Sequence, residues 1–92
     1  MSTSVQGRRI DHDPAQDADQ YPFPRLRPGD YGKDRDGCWH CWPPSGPGPG
    51  CLSNHTVTEH EDSTITVAPS ILISNHTGSW HGYLERGVWR EC

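Results

Sequence analysis

The chain has 92 residues and a net charge of −4 from 8 basic and 12 acidic side chains, and Gly 10 with Pro 9 interrupts it throughout. Leu, Ile, Val and Phe supply only 13 residues, too few for a large aliphatic core, so any folded part must draw on its four Trp and three Tyr. The acidic balance offers no general basic field for nucleic acid, and the longest apolar run, Ile71-Leu72-Ile73, is far short of a membrane-spanning helix.

Residues 1–37 begin with Met1-Ser2-Thr3-Ser4-Val5, which leads into no apolar signal segment, so the expected compartment is a cytosol. This part holds Val5, Ile10, Phe23 and Leu26 against seven Asp, five Arg and one Lys, and so reads as an extended, low-complexity N-terminal arm. Its Tyr21-Pro22-Phe23-Pro24-Arg25-Leu26-Arg27-Pro28 segment has polyproline-type spacing. The arm is either a flexible tail or docked on a partner through Tyr21, Phe23 and Leu26.

From Cys38 the composition changes, because all four Cys and all four Trp lie in residues 38–92, which read as one small β domain. Residues 43–50, Pro43-Pro44-Ser45-Gly46-Pro47-Gly48-Pro49-Gly50, can hold neither helix nor ladder and form a loop. Thr56-Val57-Thr58-Glu59-His60 and Thr64-Ile65-Thr66-Val67-Ala68 read as a hairpin across Glu61-Asp62-Ser63, with Ile65 and Val67 on one face. Pro69-Ser70 breaks the chain before Ile71-Leu72-Ile73, a run suited to burial on both faces. A turn at 75–79 precedes the second hairpin, Trp80-His81-Gly82-Tyr83-Leu84 with Val88-Trp89-Arg90-Glu91, closed by a three-residue Glu85-Arg86-Gly87 loop. Trp80 and Leu84 fall on one face, and His81 and Tyr83 on the other. The expected fold is therefore mostly β, a small antiparallel sheet of two or more hairpins with little regular helix.

Two chemical readings compete for the cysteines. Cys38-Trp39-His40-Cys41 has the C-x-x-C spacing of a zinc knuckle, and Cys51-Leu52-Ser53-Asn54-His55 adds C-x₃-H, so Cys38, Cys41, Cys51 and His55 make the most local zinc set. A rival set replaces the second pair with His81 and Cys92. Otherwise the thiols are ordinary reduced cysteines and no cofactor is bound. No phosphate loop, nucleophile elbow or H-E-x-x-H helix occurs, and a redox role for Cys38 and Cys41 would need a βαβ setting that is absent.

The run from Val57 to Ile71, with its Thr64-Ile65-Thr66-Val67-Ala68-Pro69-Ser70-Ile71 step, followed by Trp80-His81-Gly82-Tyr83-Leu84-Glu85-Arg86-Gly87-Val88-Trp89, resembles small uncharacterised proteins encoded by actinobacterial phages. The likeness covers most of residues 52–92 and implies a phage origin, with the host cytoplasm or the virion as the place of action. The expected function is that of a non-enzymatic phage accessory protein that binds another protein, either a virion component or a host factor, with self-association through strand edges as a further route. Trp39, Trp42, Trp80, Tyr83 and Trp89 are the candidate core or contact aromatics in this half, with Trp80, Tyr83 and Trp89 singled out for partner contact. The alternative is a zinc-binding domain with a catalytic or nucleic-acid role.

Overall fold

The computed structural model describes residues 4–13 and 25–92. These contain nine strands and no helix: β1 Ser4–Gln6, β2 Arg8–Arg9, β3 Asp30–Lys33, β4 Trp39–Cys41, β5 Gly50–Cys51, β6 Thr56–Glu59, β7 Ile65–Asn75, β8 Gly78–Glu85 and β9 Val88–Glu91. They form a five-stranded sheet in the order β1-β9-β8-β7-β6 and a four-stranded sheet in the order β2-β3-β4-β5. All pairings are antiparallel except that of β2 with β3. The mostly β, antiparallel expectation therefore holds, and no described helix is long and apolar enough to cross a membrane.

The division at residue 37 does not coincide with a structural boundary. β3 pairs with β4 across it, and β1 and β2 place the first described residues in both sheets. The N-terminal segment is extended as expected, but its described parts are held by ladder bonds that composition does not reveal. The chain changes sheets at Gly7, whose N–H donates to the Gly87 carbonyl at 2.7 Å. A Cβ at Gly7 would lie 2.8 Å from that oxygen, 2.9 Å from Trp89 Nε1 and 3.0 Å from the Tyr31 ring, so only glycine lets the strand cross so close to the core. Tyr21 and Phe23 lie outside the described residues.

One core draws on both sheets. Ile65, Val67, Ile71, Trp80, Leu84 and Trp89 face inward from the larger sheet, Tyr31 and Cys41 come from the smaller, and Leu52 joins them from just after β5. Trp80 and Trp89 meet edge to face, with centroids 5.5 Å apart and an interplanar angle of 88°. Trp89 Nε1–H donates to the Gly29 carbonyl at 2.8 Å, satisfying the buried indole N–H. Asp30, 4% exposed, accepts from the Arg27 N–H at 3.0 Å and pairs with the Arg8 guanidinium at 3.3 Å, so its charge is not left alone in the interior.

Three local readings are corrected. Pro69-Ser70 does not end a strand, because β7 continues through a bulge between Val67 and Ile71 that absorbs the ladder bond proline cannot make. Beyond that bulge Ile71 is buried while Leu72 is 64% exposed, so the apolar run faces both core and solvent. The β8–β9 connection is a two-residue loop rather than three, with Arg86 at φ 46° and Gly87 at φ 77°, the left-handed pair of a type I′ turn that matches the twist of the strands.

Candidate functional site

The outer face of the larger sheet carries Leu72 and Tyr83, the two most exposed large apolar side chains among the described residues, while Val5, 40% exposed, lies across from Trp89 on the other face. Leu72 on β7 lies opposite His81 on β8, and Tyr83, two residues along β8 on the same face, lies opposite Arg90 on β9. Tyr83 is 43% exposed, and it faces the β7 bulge, where no residue pairs directly with it. His81 Nε2 sits 2.9 Å from Ser70 Oγ, which ties the bulge to β8. Of the anticipated contact residues, Tyr83 is on this surface and Leu26 is half-buried, whereas Trp80 and Trp89 are core residues at 2% and 1% exposure. Alternation about Gly82 explains the split: a Cβ there would meet the Arg90 carbonyl and come within 2.6 Å of the Trp80 ring, so the inner face at this position is filled by indole.

The cysteines are arranged by strand periodicity. C-x-x-C on an extended strand separates its thiols by an odd number of residues and points them to opposite faces. Cys41 accordingly faces the core at 0% exposure, while Cys38 is exposed. Burial, aided by nearby Cys51, pushes the Cys41 thiol up to about 12. Asp34 raises the Cys38 thiol, with smaller contributions from burial, Cys51 and Asp36. Neither is held as a nucleophilic thiolate in the free protein.

Cys51 lies opposite His40 rather than beside Cys41. The His55 Nε2–H donates to the Ser70 carbonyl at 3.1 Å, and its Nδ1 is buried without a hydrogen-bond partner. In the rival set His81 and Cys92 are neighbours, the Cys92 N–H donating to the His81 carbonyl at 2.9 Å, but they belong to a different sheet from Cys41. Among the described residues no group of three or more His, Cys, Asp or Glu side chains is arranged to hold a metal ion.

Two polar clusters escaped the sequence reading. Asp34 organises the β3–β4 turn: its Oδ1 accepts from the N–H groups of Asp36 at 2.8 Å and Cys38 at 2.9 Å, and its Oδ2 lies 2.8 Å from His40 Nε2. Burial alone would raise this carboxyl, yet the His40 ring and the two N–H groups outweigh it and hold it below the usual carboxylate range. The Asp34-Arg35-Asp36-Gly37 run, an Asx-turn pattern, was the available signal. Arg9 links β2 to the β6–β7 hairpin, donating to Glu59 Oε2 at 2.6 Å and the Ser63 carbonyl at 3.0 Å, while its Nε lies 3.1 Å from both Asp11 oxygens. Its guanidinium carbon stands 5.0 Å from the Trp39 ring centroid, and Lys33 Nζ stands 5.3 Å from the same ring. No sequence spacing announces that node, because Arg9 and Glu59 at its centre are fifty residues apart.

Two clefts open beside these features. One of about 290 Å³ is lined by Val5, Pro44, Ser45, Trp80, Trp89 and Glu91. Its two indoles present almost no accessible surface, so it offers little grip to a ligand. The other, about 520 Å³, lies at the β6–β7 hairpin between Glu59, His60, Glu61, Asp62 and Arg86. No protein family, curated protein or solved structure matches this chain.

Proposed function

We propose that this chain is a non-enzymatic accessory protein of a bacteriophage that works by binding another protein, a virion component or a host factor, in the host cytoplasm or the virion. The observation that carries the reading is the outer face of β7 and β8, where Leu72 and Tyr83 stand 64% and 43% exposed on either side of His81. Tyrosine anchors interfaces well because a large rigid ring ends in a hydroxyl, and an adjoining leucine adds apolar area that water otherwise covers. The phage assignment rests on the resemblance of residues 52–92.

The test is affinity capture from infected cells with the native chain and with a Leu72→Glu, Tyr83→Ser double variant. Both side chains point away from the core, so near-native circular dichroism and an unchanged melting temperature are expected of the variant. A partner held by the native chain and lost by the variant supports the proposal. A partner retained equally by both, or none recovered by either, overturns it.

A further inference from the structure

We infer that the free edge of β6 receives an extended, basic strand from a partner protein, paired antiparallel to it. The inference rests on the protein-binding reading above but uses a different surface. β6 ends the five-stranded sheet, so no described strand pairs with its other side. The His60 N–H donates to the Thr64 carbonyl at 2.8 Å, which fixes the alternation of the β6–β7 ladder. Thr58 and Thr56 then make the rungs to Thr66 and Ala68, and Val57 and Glu59 turn their N–H and C=O groups to the open side. These are two donors and two acceptors about 6.8 Å apart, the repeat an incoming strand needs. No described residue is hydrogen-bonded to these four groups.

The other sheet edges are less suited to pairing. β2 and β5 have two residues each, β1 has three, and Pro49 adjoins β5. β6 has four, with no proline, lysine or bulge to block addition, and the bulge of its neighbour lies beyond Val67. The chemistry of the occupant follows from the far end of the strand. Glu59, Glu61 and Asp62 line the cleft there with Arg86, and the carboxylates of Glu61 and Asp62 enter no ion pair among the described residues.

The molecule already illustrates how this end takes a guanidinium, since Arg9 of its own extended strand is seated on Glu59 and the Ser63 carbonyl. An antiparallel partner begins at this end, so its basic residues belong near its N-terminus. A second copy paired antiparallel would set its own Leu52-Ser53-Asn54-His55-Thr56 stretch at this end, which carries no Lys or Arg, and would bring another net charge of −4.

The experiment uses the full chain, ¹⁵N-labelled, with a synthetic peptide of about ten alternating Thr and Val residues that begins with two Arg, and with a second peptide carrying Glu in their place. Binding of the first should slow amide exchange at Val57 and Glu59 about tenfold or more, leaving Thr58, already paired to β7, unchanged. Val57→Pro removes an outward N–H without breaking a rung to β7 and should weaken binding about tenfold. Glu61→Lys, outside the ladder, should weaken it about threefold and less so in high salt. Equal affinity for both peptides, protection that appears without peptide as protein concentration rises, or unchanged Val57 and Glu59 exchange overturns the inference. Loss of peptide binding alone leaves the outer-face reading intact, whereas the Leu72/Tyr83 variant tests that reading without touching β6.

Discussion

Trp89→Phe probes the bond and the packing that fasten the last strand to the chain beneath it. The indole is 1% exposed, and its N–H donates to the Gly29 carbonyl at 2.8 Å while its ring edge meets Trp80. Phenylalanine keeps an edge-to-face partner for Trp80 but removes the donor and the second ring. The Gly29 carbonyl also accepts from the Arg8 N–H at 3.2 Å, so it is not stranded, and the lost hydrogen bond costs about 1 kcal/mol, the low end for a buried group. The packing lost with the second ring adds about 1–2 kcal/mol. The expected loss of about 2–3 kcal/mol lowers the melting temperature by roughly 10–20 °C in a chain of this size. Thermal and urea denaturation followed by the fluorescence of the remaining tryptophans measure it. Ala at position 89 should cost more than Phe, since it also leaves Trp80 unopposed. A Phe variant within 0.5 kcal/mol of the native chain, about the noise of surface substitutions, would refute the assigned role of the N–H and of the packing around it.

Four further outcomes are expected. Arg9→Met should cost about 1–2 kcal/mol, from the bond to Ser63 and the contact with Trp39, and Lys at the same site should restore part of it because the charge over the ring survives. Gly82→Ala should lower the melting temperature by more than 10 °C, since the new methyl meets the Arg90 carbonyl and the Trp80 ring; unfolding curves check it. Asp34→Asn should remove about 1 kcal/mol at neutral pH. Because the native carboxyl is depressed, that stability is present above the ordinary carboxylate pKa of about 4 and is lost as pH falls through the lower folded value, so the two proteins should converge in acid titrations monitored by circular dichroism. Thiol titration of the folded protein should show Cys38, Cys51 and Cys92 reacting and Cys41 silent until denaturant is added.

The hairpins were legible because they are local. Ile65 with Val67, and Trp80 with Leu84, alternate strictly enough to identify the buried face, and both pairs are in the core. β1, β2 and β3 were not legible: Ser-Val-Gln, Arg-Arg and Asp-Tyr-Gly-Lys carry no alternating apolar pattern, and each becomes a strand only through pairing that no short window contains. The cysteine spacing misled for a related reason. A knuckle needs a turn between its thiols, and Trp39–Cys41 is instead extended, which turns Cys41 inward and places His40 opposite Cys51. Leu72 was obscured by its neighbours, since Ile71 and Ile73 turn toward the core on the same strand. The contact surface thus reduces to one ring and one leucine that composition alone could not separate from the core.

The pairing of Ser4 with Arg90 has a consequence for synthesis. During synthesis β1 is made long before its antiparallel neighbour, so its ladder cannot close until β9 has followed. Until then Trp89 is missing from the interior and the edge of β8 is open, leaving an intermediate able to pair with another unfinished chain.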